Sequence, residues 1–261
     1  MTVTAWRVWT RYLPEICSWV IVAFLLGTTQ LLSAVETWSS PEHVLRSWDN
    51  RDGLPDAKVQ AVTQTRDGYW WIGTSGGLAR FDGVRFEVFT TNNTPELRDN
   101  RIDCLLATRS GALWVNTESS LLVRQRSDVF QAVSLGAQRR GTKINALAEA
   151  QDGSVWIGTG GAGIARWREG RVDWFSVDSP NQVAETNVTE IIVDKQGRLW
   201  AVANEKLAVF ENGAWKIATG AAASEQRQVV CLSPSRDGGI WIATCAFRQG
   251  VSRPGNASVQ I

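Results

Sequence analysis

The chain has 261 residues, of which 44% are apolar, and a formal net charge of +1. This length allows a sizeable core, and the near-neutral charge gives no support for a nucleic-acid or acidic-lipid partner. Trp is the unusual component, with 14 copies against two Tyr and one Met. The spacing of these Trp residues is therefore the first pattern to explain.

The first 35 residues have the layout of a secretory signal. Arg7 and Arg11 precede an apolar run from Ile16 to Leu26, and Ala34 offers a cleavage point. Leu32 is not the small residue preferred three positions before such a cut, so a retained membrane anchor and a buried helix are alternatives. This segment is predicted to be a signal peptide or an inner-membrane anchor, with the rest of the chain in the periplasm.

Residues 36–58 form a lead-in to the main pattern. Trp48 stands 23 residues before Trp71, which is the offset of an outer strand from the Trp of the next repeat. Such a segment is expected to act as a ring-closing strand. Gly53 and Pro55 then interrupt regular structure.

From residue 59 onward, one anchor of Gly-x-x-Trp recurs at a near-constant interval. Successive Trp residues are 43, 42, 44 and 41 positions apart, and the five anchors are Gly68 with Trp71, Gly111 with Trp114, Gly153 with Trp156, Gly197 with Trp200, and Gly238 with Trp241. Repeats of this length made of short strand-like runs are typical of a β-propeller with four-stranded blades. The fold is predicted to be all-β, with five blades at 59–89, 101–133, 143–177, 187–218 and 228–261.

Each repeat contains four predicted strands. An aliphatic residue nine positions before the Trp marks the inner strand, and an Asp-Gly or similar turn joins it to the Trp strand. The last copy predicts 250–254 as its third strand and 257–261 as its outer strand. The five Trp rings are predicted to be structural anchors that fill the gap to the next blade, each removing about 150–250 Å² from water.

The first blade carries a more specific resemblance. DGLP at 52–55, followed by VQAV and then RDGYWWIGTSGGLARFDG from Arg66, resembles the two-component regulator propeller repeat, and the third blade matches nearly as well. The fourth blade departs at 201–203, and the second has Asn116 in place of Gly. This family forms extracytoplasmic sensor regions of hybrid histidine kinases and diguanylate cyclases, commonly in rings of seven blades.

The resemblance implies a ligand-binding sensor propeller whose output domain is absent from this chain, which would then be a truncated sensor. A stand-alone periplasmic binding or scaffolding propeller is the alternative, and a homodimer is compatible with both. His43 is the single histidine and lies in the lead-in. Histidine-based catalysis and metal binding are thus not expected in the blades, so no enzyme activity, cofactor or metal is predicted. Each Cys of the repeats is expected to be a buried free thiol.

One polar feature recurs at equivalent positions, immediately before each inner strand. Equivalent positions of a propeller lie on a ring around its axis, so three cations and two amides are predicted to surround one mouth of the central channel: Lys58, Arg101, Lys143, Asn187 and Gln228. We call these residues the channel rim. The simpler interpretation is that these residues are polar because the start of each strand is exposed to solvent. The functional hypothesis is that the rim attracts an anionic small molecule or an acidic oligosaccharide.

Overall fold

The computed structural model describes residues 46–119, 121–124, 129–136, 142–177, 186–218, 227–246 and 257–260. The chain divides into two units, Met1–Ser47 and Trp48–Ile261, and all the strands that the structure describes belong to the second. Within the described ranges, no helix has the length and apolar character needed to cross a membrane. The predicted signal or anchor, residues 1–35, lies outside the described residues.

The described part contains a short 3₁₀ helix, Asn50–Asp52, and nineteen strands grouped in five sheets. Blade 1 comprises β1 (Val59–Gln64), β2 (Trp70–Thr74), β3 (Leu78–Phe81) and β4 (Phe86–Phe89). Blade 2 comprises β5 (Ile102–Ala107), β6 (Leu113–Thr117), β7 (Leu121–Arg124) and β8 (Phe130–Ala132). Blade 3 comprises β9 (Ile144–Glu149), β10 (Val155–Thr159), β11 (Ile164–Arg168) and β12 (Arg171–Phe175). Blade 4 comprises β13 (Val188–Val193), β14 (Leu199–Ala203), β15 (Lys206–Glu211) and β16 (Ala214–Ile217), and blade 5 comprises β17 (Arg227–Pro234), β18 (Ile240–Ala246) and β19 (Ala257–Gln260).

The first four sheets have the same topology. Their four strands pair antiparallel in sequence order, so the chain runs from the inner to the outer edge of each blade. The inner strands β1, β5, β9, β13 and β17 contact one another in succession. The predicted all-β propeller is thus confirmed for the described residues.

The turn between the inner strand and the Trp strand explains the recurring Gly. Gly68 has a φ of 90°, and the φ of the equivalent Gly is 79–93° in the other four blades. A side chain is rarely tolerated in this left-handed region. The Gly68 N–H also donates to the Thr65 carbonyl at 2.9 Å. This geometry reverses the chain tightly enough for the two strands to pair.

Apolar clusters lie between successive blades. Trp71 and Leu78 of blade 1 pack with Ile102, Leu113 and Val115 of blade 2. The same arrangement recurs around Trp114 between blades 2 and 3 and around Trp156 between blades 3 and 4. These three Trp rings are buried, whereas Trp200 is partly buried against blade 5 and Trp241 is 36% exposed.

Blade 5 differs from the predicted strand order. Residues 257–260 were expected to form its outer strand, but β19 pairs directly with the Trp strand β18, with Ala257 opposite Cys245 and Gln260 opposite Ile242. They therefore take the third position, and the prediction was wrong. Pro254 lacks the N–H that a ladder needs, which disfavours a strand at 250–254. That segment itself lies outside the described residues.

Candidate functional site

The five channel-rim residues lie at equivalent places in the fold. Each comes immediately before the first interface-facing residue of an inner strand, and these strands contact one another in sequence. Four of the rim side chains are exposed and Gln228 is half-buried. The structure thus gives all five the same register in their blades.

Acidic neighbours offset part of the positive charge of the rim. The Arg101 guanidinium pairs with Asp103 through an Nε to Oδ1 distance of 2.8 Å, and this bond raises the Arg101 pKa. Gln228 donates to the Glu205 carboxylate, and Asn187 accepts from Asn145 Nδ2 at 3.2 Å. Among the described residues, no carboxylate pairs with Lys58 or Lys143. Lys58 and Lys143 are thus the two rim cations without an ion pair to a described residue.

A β-bulge at the start of every inner strand adds a second ring of residues that sequence reasoning missed. The register with the Trp strand slips by one residue in all five blades, and the extra residues are Gln60, Asp103, Asn145, Thr189 and Val230. A bulge bends the strand and redirects a side chain. Asn145 uses this placement to donate to the Val188 carbonyl of the next blade at 3.0 Å.

The sequence does contain a signal for this bulge. The two interface residues of an inner strand, such as Val188 and Ile191, are three positions apart, yet both pack in the same cluster. A regular strand places such a pair on opposite faces. The odd spacing in all five repeats therefore indicates one extra residue between the two positions.

Burial raises the pKa of titratable groups on two inner strands. Burial raises the pKa of the Cys104 thiol to about 11, so the thiol stays protonated at neutral pH. Burial also raises the pKa of Glu190, whose carboxylate accepts from the Leu232 N–H at 2.7 Å. All three cysteines of the repeats are free, but Cys231 is exposed, so the expectation of a buried thiol was wrong there. No group of metal ligands occurs among the described residues.

A polar concavity lies between blades 2 and 3, and we call it the interblade cleft. It has a volume of about 400 Å³. Its lining combines apolar side chains with polar and charged ones, including Arg98, Asn116, Thr117, Glu118, Leu121 and Ile144. The rim residue Lys143 lies between two lining residues, Thr142 and Ile144. The lining of the cleft thus includes both sequence neighbours of this rim residue.

Asp99 fixes the loop that forms one wall of the cleft. Its carboxylate accepts from the Thr117 hydroxyl at 3.0 Å and from the backbone N–H groups of Glu118 and Ser119 at 3.1 and 3.0 Å. The Ser119 hydroxyl also donates to it. Because one carboxylate holds three consecutive residues, this wall is preorganised.

A second concavity, the blade 1 face, is apolar. Val59, Val62 and Trp70 are 45%, 54% and 44% exposed there. The equivalents of Val59 in blades 2 to 5, which are Ile102, Ile144, Val188 and Val229, are at most 6% exposed. Trp48 covers part of this face by packing edge-on against Phe81, with ring centroids 5.1 Å apart. Residues 46–49 form no strand, so the ring-closing role of the lead-in stays a prediction.

Comparison with solved structures places the fold among known propellers. The extracellular domain of a B. thetaiotaomicron protein described as a hybrid two component system, BT3049, is similar with a TM-score of 0.62 and 16% identity, over 81% of this chain and 31% of that one. A second such domain, BT4673, is similar with a TM-score of 0.58 and 18% identity, over 71% of this chain and 26% of that one. The chain thus spans less than a third of those structures. A catalytically inactive virginiamycin B lyase from Staphylococcus aureus is similar with a TM-score of 0.56 and 14% identity, over 80% of this chain and 71% of that one.

A comparison with curated proteins gives no match. A family model described as "Two component regulator propeller" matches residues 53–76 and 139–161. These segments contain the inner and Trp strands of blades 1 and 3, whose sequences follow the repeat most closely. The chain therefore carries repeats of the two-component regulator propeller family in its first and third blades.

Proposed function

We propose that this chain is a sensor propeller that lies outside the cytoplasm and binds a small molecule for a signalling protein. The observation that carries the proposal is the match of blades 1 and 3 to the two-component regulator propeller. Similarity to extracellular domains of proteins described as hybrid two component systems supports it. The output, a kinase or a cyclase, would lie in another part of the protein.

The channel rim supplies one element of the proposed binding role. Lys58 and Lys143 are exposed and project from equivalent places, so they favour an anionic ligand at the mouth of the channel. Calorimetry with acidic and neutral oligosaccharides, on the wild type and on Lys58→Ala/Lys143→Ala, tests this element. Weaker binding of the acidic sugar by the variant supports it, and equal binding throughout would contradict it.

We further propose that the propeller itself is not an enzyme. The solved lyase shares its fold, and the likeness at 14% identity extends no further. Within the described residues, the only thiol with a strongly shifted pKa is held protonated, and carboxylates such as Asp194 and Asp152 are engaged in hairpin turns. These hydrogen bonds give such groups a role in the fold, which supports the proposal.

Fractionation of cells of the source organism tests the proposed location. An antibody against the propeller should detect a membrane-bound protein several times larger than 28.8 kDa, the mass of this chain. External protease should digest it once the outer membrane is opened. Protection of the propeller until the inner membrane is broken would contradict the proposal. A periplasmic soluble band slightly below 28.8 kDa would favour the stand-alone binding propeller.

A second measurement tests the sensory role. Deleting blades 1 to 5 from the natural protein should abolish the response of its output, measured as phosphotransfer or cyclic dinucleotide level. A protein with the deletion that still responds normally would show that these blades do not carry the signal.

A further inference from the structure

Asn116 is an exception at a position where the neighbouring blades have glycine. It pairs with Cys104 on one side and Leu121 on the other, as Gly73 pairs with Ala61 and Leu78, and Gly158 with Ala146 and Ile164. At Gly73 an added Cβ would lie 2.7 Å from Ile102 Cγ2, and at Gly158 it would lie 2.8 Å from Val188 Cγ1. Glycine therefore lets the next blade approach closely. Blade 2 has Asn116 at this position and therefore lacks the close approach that glycine permits.

The Asn116 side chain occupies the space that glycine would leave to the next blade. Its Nδ2 donates to the carbonyl of Ile144 at 3.2 Å, and the residue is only 2% exposed. Since Nδ2 faces Ile144, the orientation of the amide is fixed, and Oδ1 lies on its other side. No described residue donates to Oδ1, and Asn116 belongs to the lining of the cleft, so this acceptor is available there.

Charged and apolar side chains line the same cleft as this acceptor. Arg98 and Glu118 line the cleft, are exposed, and form no ion pair with a described residue. The Asp99 carboxylate is engaged by the loop at 117–119. Part of the lining is apolar, formed by Leu121, Leu135 and Ile144. The cleft thus offers a cation, an anion, a neutral acceptor and an apolar surface together.

We propose that the interblade cleft binds a free α-amino acid with an apolar side chain. The Arg98 guanidinium would receive the α-carboxylate through paired N–H donors. Glu118 and the Asn116 Oδ1 would accept from the ammonium group, and the side chain would lie against Leu121, Leu135 and Ile144. A cleft of about 400 Å³ has room for such a ligand. This inference rests on the proposed sensor function and adds to it a second ligand site, separate from the anionic site proposed at the channel rim.

Calorimetric titration of the full chain with L-leucine tests the site. N-acetyl-L-leucinamide keeps the side chain and removes both charges, so it should bind at least about a hundredfold more weakly. Arg98→Gln and Glu118→Gln should each weaken leucine binding by about tenfold or more, the loss expected for one charge-assisted bond. The matched controls Arg171→Gln and Glu211→Gln remove exposed charges outside the cleft and should bind leucine as the wild type does.

Three results would overturn the proposal. The first is a Kd weaker than about 10 mM for leucine, isoleucine and valine alike. The second is equal affinity for the uncharged analogue, which would indicate a merely apolar cleft. The third is unchanged affinity in both cleft variants, with thermal melts confirming that all variants fold. None of these results would alter the location or the output response of the protein, so failure of the site and failure of the sensor function are distinguishable.

Discussion

The indole of Trp71 donates from Nε1 to the hydroxyl of Thr65 at 3.1 Å, across the turn that joins its strand to the inner strand. Blade 4 repeats this bond with a carboxylate, because Trp200 Nε1 donates to Asp194 Oδ2 at 2.9 Å. Blade 3 has Ala150 at the equivalent position, and the buried Trp156 Nε1 finds no partner among the described residues. One blade thus lacks a hydrogen bond that two others make.

Ala150→Thr should therefore stabilise the protein. The new hydroxyl would satisfy Trp156 Nε1 in the geometry seen at Thr65, and the free energy of unfolding should rise by about 0.5–1.5 kcal/mol. Urea unfolding measures this change. Ala150→Val is the matched control, because it adds the same volume without a hydroxyl. If the Thr variant is no more stable than the Val variant, the missing bond is not the cause.

Asp194→Asn should destabilise the protein in a pH-dependent manner. Burial opposes ionisation of this carboxyl, but hydrogen bonds from Trp200 and Arg198 outweigh it and lower the pKa in the folded state. A lowered folded pKa gives stability that is present above the unfolded value, about 3.9, and is lost as pH falls through the folded value. At pH 7 the free energy of unfolding of the variant should be about 1–3 kcal/mol lower than that of the wild type.

The dependence of stability on pH separates the contribution of the Asp194 charge from that of the shape of its side chain. The stability difference between wild type and Asp194→Asn should be constant from pH 7 to about pH 5 and shrink below about pH 4. Denaturant titrations at several pH values measure it. A difference that persists unchanged at pH 3 would mean that ionisation of Asp194 contributes nothing to stability.

Gly73→Ala tests the close approach of blades 1 and 2. The new methyl would lie 2.7 Å from Ile102 Cγ2, so the interface must open, at a cost of about 1–3 kcal/mol. In an Ile102→Ala background the clashing atom is gone and the same substitution should cost less. A double-mutant cycle measured by thermal melting detects this coupling. A coupling energy of zero would contradict the assigned contact.

Trp156→Ala and Trp241→Ala should differ widely in effect. Trp156 is buried in the cluster between blades 3 and 4, so its loss should cost about 3–5 kcal/mol. Trp241 holds the equivalent position in blade 5 but is 36% exposed, and its loss should cost about 1 kcal/mol or less. Similar losses of stability in the two variants would mean that position in the repeat, and not burial, sets the contribution of a Trp.

The period of the repeat predicted the architecture well because each feature that sets it is local. A turn needs Gly at a position of positive φ, as at Gly68, and an indole such as Trp71 fills the space between sheets. Both requirements recur in each blade at a nearly fixed distance along the chain. The strands of blades 1 to 4 could therefore be placed without knowledge of contacts between them.

The binding features were harder to predict because they depend on contacts between blades. The Asn116 substitution was visible in the sequence, but only the distance from a Gly Cβ to the next blade shows that a larger residue must alter the interface. The pairing of Arg101 with Asp103 likewise depends on the bulge that redirects Asp103. The prediction of the strand order in blade 5 was wrong for a different reason. The connection between β18 and β19 is longer than the equivalent connections in the other blades.

The blade 1 face has a practical consequence for handling this chain in solution. Val59, Val62 and Trp70 are the side chains that a neighbouring sheet would cover, yet they are exposed to water. Contiguous apolar surface of this kind favours self-association. We expect purified protein to be monomeric when dilute and to form oligomers as it is concentrated, so titrations are best performed at low protein concentration with the sedimentation behaviour checked in parallel.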